Sequence, residues 1–235
     1  MQSKFVSGEA GDLEALIDDT AGKHMAVLSH PHPSYGGSMH DGVLSTLSEA
    51  FNRLGVSTTR FNFRGVGRSQ GQYSGTEEWQ DVLSVASYCS RQMMAFKQHS
   101  SASHDNSSSD KSSSDNSNPD NSSSDGSIYL CGYSFGAGMT YQALGQLKSF
   151  YPELGAQVRG CLLIAPPLQM LPAPVTPPPC RTQVIVGERD HVVAAQDLTH
   201  YFGSENVTVV GHADHFFQGA QDNIYKSVEE LISGS

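Results

Sequence analysis

The 235-residue sequence lacks several features that would point to particular classes of protein. It contains no run of about 18 apolar residues, so no membrane-spanning helix is predicted. Its first residues carry acids and no apolar core of signal-peptide length, so we expect a soluble protein of the cytoplasm. Lysine and arginine number 14 against 24 acids, a formal net charge of -10. Nucleic acids and anionic membranes bind basic surfaces, so we expect neither as a partner.

Cysteine is also scarce, and its spacing favours neither a disulfide framework nor a zinc site. The four residues lie far apart without a C-x-x-C pair, which indicates buried free thiols, at Cys89, Cys131, Cys161 and Cys180. The sequence has no H-E-x-x-H motif and no phosphate-binding P-loop. We therefore expect no metal and no cofactor, and a small molecule as the partner. The oligomeric state does not follow from the sequence.

One segment, residues 99–127, is almost entirely serine, aspartate and asparagine. Its aspartates recur every five residues, and its only apolar members are one alanine and one proline. Such a stretch buries too little surface to offset its ordering entropy, so we predict a disordered, low-complexity insertion. We expect residues 1–235 to form a single domain that carries this insertion.

Outside the insertion, short apolar runs alternate with helical patterns. Buried parallel strands are predicted at 25–30, 57–63, 128–132, 161–165, 182–187 and 206–210. Helices are predicted at 39–54, 76–97, 138–150, 194–202 and 216–232. This alternation indicates an α/β fold with a mostly parallel sheet and helices on both faces. Residues 4–8 and 13–18 predict an N-terminal hairpin whose second strand joins the sheet antiparallel.

Residues 166–180 contain seven prolines. No helix should persist through such a stretch, so we predict a short, stiff and extended connector. It follows the fourth predicted parallel strand, which makes it either a plain crossover or a segment that faces the substrate.

The segment Gly132-Tyr133-Ser134-Phe135-Gly136 fits the pattern G-x-S-x-G, with a predicted strand before it and a helix after it. A sharp strand-to-helix turn strains the backbone of the serine and leaves no room for bulky neighbours. On this segment alone, Ser134 is either a nucleophile or a small residue in a glycine-rich turn.

A serine hydroxyl needs a histidine base and an acid to act as a nucleophile at neutral pH. Glu188 and Asp190 follow one predicted strand, and His212 and His215 follow the next. Both pairs stand at the carboxyl ends of strands, where open α/β sheets build their sites. His191 is a further candidate base. Spacing alone leaves these alternatives open.

Five segments carry a resemblance to a known family. They read HPHPSYGGSMH (30–40), RFNFRGVGRSQGQY (60–73), GYSFGAG (132–138), VGERDHVV (186–193) and GHADHFF (211–217). Together they resemble the α/β-hydrolase superfamily, in particular its small bacterial-type serine hydrolases without a cap domain. The likeness covers nearly the whole chain apart from the insertion. It implies a three-layer sandwich with a mostly parallel central sheet.

The resemblance assigns roles to individual residues. It implies Ser134 as the nucleophile, His215 as the general base and Asp190 as the orienting carboxylate, because the family pattern places the acid just before His-Val-Val and the histidine before Phe. Glu188 is the competing acid. The histidines His191 and His212 then lie in surrounding loops.

The resemblance also implies an oxyanion hole made by two backbone N–H groups. The first belongs to Phe135, which follows the nucleophile. The second comes from the loop after the third strand, where His32 is the best match and Tyr35 the alternative. Tyr35 and Phe216 are expected at the rim of an open, shallow pocket, with residues 166–180 as its only roof.

The expected reaction is hydrolysis of a small carboxylic ester or thioester through an acyl-enzyme. A peptidase of the dipeptidyl-peptidase-like type is the first alternative, and a catalytically silent binding protein on the same fold is another. Residues 64–71 come near to a dinucleotide fingerprint, but their spacing is one residue off and no helix opening follows. We interpret them as a structural loop beside the site, tied to its neighbours by Arg64 or Arg68.

Overall fold

The fold was analysed in a computed structural model, which describes residues 1–102, 126–172 and 179–234, the side chains of 96–102 excepted. Most of the predicted insertion, and the prolines of 173–178, lie outside the described residues. The centre of the molecule is an eight-stranded sheet with the order β1-β2-β4-β3-β5-β6-β7-β8. Its strands are β1 (Gln2–Gly8), β2 (Gly11–Asp18), β3 (His24–Ser29), β4 (Val56–Phe61), β5 (Ile128–Tyr133), β6 (Val158–Ile164), β7 (Arg181–Gly187) and β8 (Val207–Val210).

Helices cover both faces of the sheet. They are α1 (Gly42–Arg53), α2 (Trp79–Ala102), α3 (Phe135–Phe150), α4 (Pro152–Gln157), α5 (Ala195–Phe202) and α6 (Gln221–Ser233). Helices α1 and α6 pack side by side on one face, and α2, α3 and α4 pack together on the other. Tyr141 of α3 stacks edge-on against Phe202 of α5, which places α5 on that second face. The result is the three-layer α/β sandwich that the sequence predicts.

The strand register confirms the predicted sheet. Strands β3 to β8 run parallel to one another, while β2 pairs antiparallel with both β1 and β4. The predicted hairpin therefore enters the sheet through its second strand. All six residues of β4 and all six of β5 are buried, because helices cover both sides of the sheet there.

Two predicted helix starts and the predicted connector differ from the structure for local physical reasons. Helix α3 begins at Phe135 rather than Gly138, because glycine and alanine in its first turn carry little periodic signal. The last helix begins at Gln221 rather than Phe216, since Phe217 adopts a left-handed backbone with φ 54° in a turn. In the proline-rich connector, where we predicted no helix, Leu168–Met170 forms one 3₁₀ turn.

The loop after β4 is held by two arginines, as expected. Arg64 makes a buried ion pair with Asp81 of α2, with 2.7 Å between its Nη2 and the carboxylate Oδ1. Arg68 reaches back to Glu14 of β2, with 2.7 Å between Nε and Oε1. These contacts fix the loop against two separate elements.

Two further findings bear on the sequence expectations. No helix of the described residues is long and apolar enough to cross a membrane. The four cysteines are unpaired, and three of them are buried. Burial raises the pKa of the Cys89 thiol to about 11, so this group stays protonated and inert at neutral pH.

Candidate active site

Ser134 sits at the turn between β5 and α3 in a strained backbone conformation, with φ 52° and ψ -117°. The two glycines of the motif make this turn possible. A Cβ on Gly132 would collide with the carbonyl of Gly136, and one on Gly136 would collide with the carbonyls of Ser29 and His30. Strain of this kind costs about 1–3 kcal/mol and concentrates at functional sites. The serine is thereby lifted out of the sheet at the carboxyl edge of β5.

His215 and Asp190 reach Ser134 from two neighbouring strand-end loops. The distance from His215 Nε2 to Ser134 Oγ is 3.0 Å, and that from His215 Nδ1 to Asp190 Oδ2 is 2.8 Å. Tyr133 fixes the histidine loop, since its hydroxyl donates to the carbonyl of His215 at 2.9 Å. The structure thus brings together the three side chains that the resemblance selects.

Asp190 is held as an ionised carboxylate. Burial alone would raise its pKa, but hydrogen bonds from His215 and from the amides of Val193 and Val192 outweigh it, so the pKa lies below the usual value. Because the carboxylate can only accept, the Nδ1 of His215 carries the proton. In a neutral imidazole, Nε2 is then free to accept the hydroxyl proton of Ser134. This arrangement can activate a serine for attack on a carbonyl.

The competing acid and histidine bind each other instead. The carboxylate of Glu188 accepts from the backbone N–H of His212 at 2.8 Å, and Arg189 lies 2.8 Å from the His212 ring nitrogen. His191 is exposed. These residues brace the two loops against each other at the surface, away from Ser134.

Two backbone N–H groups beside Ser134 have no hydrogen-bond partner among the described residues, those of Phe135 and His32. The N–H of Tyr35, in contrast, donates to the carbonyl of His32 at 3.1 Å. The rings of His32 and Phe135 pack edge-on at 5.2 Å, which keeps the two segments adjacent. Of the two sequence candidates, the structure therefore favours His32 over Tyr35 as the second donor.

The comparisons with known proteins bear on the fold. No family model matches the sequence. A solved α/β serine hydrolase homologue from Coxiella burnetii is 26% identical, with TM-score 0.71, covering 97% of this chain and 95% of that one. XC6422 from Xanthomonas campestris, an α/β serine hydrolase without a lid, is 24% identical, with TM-score 0.73 and coverages of 99% and 93%. The esterase Pf2001 of Pyrococcus furiosus is 15% identical, with TM-score 0.70 and coverages of 99% and 91%.

The chain has the α/β-hydrolase fold, as these solved structures do. The candidate site lies at the carboxyl edge of the sheet, where Ser134 and His215 are themselves buried. Three large apolar side chains stand exposed around it: Tyr35 at 89%, Phe216 at 65% and Val192 at 61%. The predicted rim residues Tyr35 and Phe216 are both at the surface.

A cavity of about 290 Å³ lies between the start of α1 and the loop that carries His215, and no side chain of the triad lines it. Its lining includes Tyr133, Phe216 and Phe217, which flank the triad in sequence, and Asp41 and Thr46 from the start of α1. Sequence reasoning missed this contribution of α1, because nothing local marks the first turn of α1 as facing this cavity.

Sequence reasoning also missed the supports of the His32 loop. The Tyr73 hydroxyl lies 2.9 Å from His32 Nε2. His30 is fully buried, where it accepts from the N–H of Phe63 at Nε2 and faces the carbonyl of Pro31 with Nδ1 at 2.7 Å. Segments 30–40 and 60–73 contain all these residues, but the spacing of the residues within each segment does not show that the two segments meet.

His30 should make the α/β-hydrolase sensitive to acid. Burial lowers its pKa to about 4, far below the value near 6.5 of an unfolded chain. Between these values the unfolded state binds more protons than the native state, so stability falls as the pH falls. We expect the native protein to lose about 2–3 kcal/mol more free energy of unfolding than His30→Gln between about pH 7.5 and pH 4.5.

Urea unfolding of the two proteins at both pH values measures this difference. The glutamine keeps an acceptor for Phe63 but does not titrate, so any general acid effect cancels in the comparison. Equal losses in the two proteins would show that His30 does not bind a proton on unfolding.

Proposed function

We propose that this α/β-hydrolase is a serine hydrolase that cleaves small carboxylic esters or thioesters through an acyl-enzyme. The observation that supports it most directly is the continuous hydrogen-bond chain from Asp190 Oδ2 through His215 to Ser134 Oγ, with contacts of 2.8 and 3.0 Å. The buried, ionised Asp190 lies at one end of these hydrogen bonds and the strained Ser134 at the other, so the proton of Ser134 can pass to His215.

In the proposed reaction, Ser134 Oγ attacks the acyl carbon while its proton passes to His215 Nε2. The negative carbonyl oxygen is held by the free N–H groups of Phe135 and His32. The imidazolium, stabilised by Asp190, gives its proton to the departing alcohol or thiol. A water molecule then repeats the sequence against the acyl-serine, releasing the carboxylic acid and restoring the serine hydroxyl.

The connector and two similar proteins support an ester substrate. The described part of the connector between β6 and β7 contains one 3₁₀ turn, Leu168–Met170, where a cap would otherwise stand. The similar Pf2001 protein is an esterase, and XC6422 has no lid. We therefore favour esters over peptides.

Labelling with a fluorophosphonate probe, which modifies activated serines, tests the proposal together with a substrate panel. We expect the native protein and Ser204→Ala, a surface control, to be labelled, and Ser134→Ala to remain unlabelled. We expect short-chain p-nitrophenyl esters to be cleaved faster than dipeptide amides. A native protein that is not labelled, or a labelled Ser134→Ala, would rule out the mechanism, and faster amide cleavage would rule out the ester preference.

The assignment of His32 as an oxyanion donor can be tested at the backbone. His32 has φ -58°, which proline also adopts, so His32→Pro removes the N–H without forcing a new conformation. We expect kcat on esters to fall about 10²–10³-fold relative to His32→Ala, which loses the imidazole but keeps the N–H. Equal kcat values in the two variants would mean that the second oxyanion donor is a different N–H of the loop.

A further inference from the structure

Arg60 is a buried charge on a central strand, remote in the chain from the triad. It lies on β4, in register with Leu16 of β2 and Leu28 of β3. Only 6% of its surface is exposed. Its Nη1 donates to the hydroxyl of Ser45 at 3.1 Å, so the guanidinium faces helix α1.

No carboxylate of the described residues lies within ion-pair distance of this guanidinium, although the charge of Asp18 still acts on it from farther away. The nearby carboxylate of Asp18 accepts from the side-chain amide of Asn52 at 2.8 Å, and Glu49 pairs with Arg53. Two buried polar atoms are left without a hydrogen bond, the Nε of Arg60 and the Oδ1 of Asn52.

The other buried arginine shows how this fold usually satisfies such a charge. Arg64, 4% exposed, meets both carboxylate oxygens of Asp81 through its Nε and Nη2. A buried charge is costly unless it is paired and hydrogen-bonded. Arg60 is therefore prepared for a partner that the described residues do not supply.

A cavity of about 850 Å³ adjoins Arg60, between α1 and the β2 edge of the sheet. Its lining includes Ser45, Ser48, Asn52 and His40, together with Arg60 itself. It shares no lining residue with the cavity beside the His215 loop, and the two lie against different faces of α1. The Arg60 cavity is thus a second, separate site.

We propose that the Arg60 cavity binds a small oxyanion, a carboxylate or a phosphate group. The planar guanidinium matches both groups, since its parallel N–H donors can bind two oxygens at once. The exposed His40 adds a ring N–H donor to the lining, whereas the hydroxyl of Ser45 already donates to the carbonyl of Asp41. The acids Asp18 and Glu49 on the wall disfavour highly charged polyanions, nucleic acid among them.

Isothermal titration calorimetry of the full chain with sodium acetate and with inorganic phosphate, at constant ionic strength, tests this site. We expect saturable binding of at least one anion, weakened at least tenfold in Arg60→Met. If Arg60→Met does not fold, Arg60→Lys replaces it, because lysine keeps the positive charge. We expect weaker anion binding in Arg60→Lys too, because lysine lacks the parallel N–H donors of the guanidinium.

Two matched controls separate the site from general charge effects and from the triad. Arg159→Met removes an exposed arginine from β6, and Ser134→Ala alters the triad, so both should bind the anion like the native protein. Binding of acetate alone identifies a carboxylate site, and binding of phosphate alone a phosphate site. No saturable binding to the native protein, or undiminished binding to folded Arg60 variants, overturns the proposal.

Discussion

Ser134→Ala should lower kcat on an ester substrate by about 10⁶-fold, because the loss of a nucleophile removes the whole covalent route. What remains is hydrolysis by water with the help of the oxyanion donors and binding, which is worth about 10³–10⁴ over the uncatalysed rate. The change should leave the fold intact, since alanine tolerates the backbone of φ 52° about as well as serine does.

Ser134→Gly is the matched control for that result. Glycine adopts positive φ without strain, so we expect the same loss of kcat together with a gain of about 1 kcal/mol in the free energy of unfolding. Steady-state kinetics and urea unfolding of both variants separate chemistry from stability. A loss of only tenfold in kcat for either variant would mean that another group is the nucleophile.

Asp190→Asn should lower kcat by about 10⁴-fold without unfolding the loop. An asparagine oxygen can still accept from the amides of Val192 and Val193, which each lie 2.8 Å from Oδ1. Its NH₂ group would then face the Nδ1 of His215 and favour the wrong tautomer, with the proton on the nitrogen that must accept from Ser134.

Glu188→Gln is the control for this prediction, because Glu188 is the acid that spacing alone could not exclude. Its carboxylate binds the backbone of His212 at the surface, so we expect kcat to change less than about tenfold. Steady-state kinetics on one p-nitrophenyl ester compares the variants. A larger loss of kcat in Glu188→Gln than in Asp190→Asn would mean that Glu188, and not Asp190, orients His215.

The positions of the triad were predictable because each residue follows a strand whose signal is local. In a parallel sheet the carboxyl ends of strands meet at one edge, so a serine after β5 and loops after β7 and β8 come together there. The choice of Asp190 over Glu188 came from the resemblance and not from the spacing. In the structure it depends on the amides of Val192 and Val193, which hold one oxygen and turn the other toward His215.

Helix boundaries were less predictable where side-chain patterns mislead. The histidine loop continues as Phe216-Phe217, an apolar pair that suggests the start of a helix, yet the backbone turns at Phe217 and α6 begins four residues later. The turn brings Phe216 and Phe217 to the cavity beside the His215 loop. The local pattern could not show this, because the other wall of the cavity comes from the start of α1.

The sequence by itself determined the alternation of strands and helices, the antiparallel hairpin and the glycine-lined turn at Ser134, since these depend on neighbouring residues. Only the tertiary structure shows that the N–H of Tyr35 is already bonded to His32, which favours His32 as the proposed second donor. It alone shows that Arg60 is buried with an Nε that no group of the described residues hydrogen-bonds, which no local pattern marks. Both findings depend on contacts between segments that are distant in the sequence. Local patterns of neighbouring residues do not show which of these segments meet.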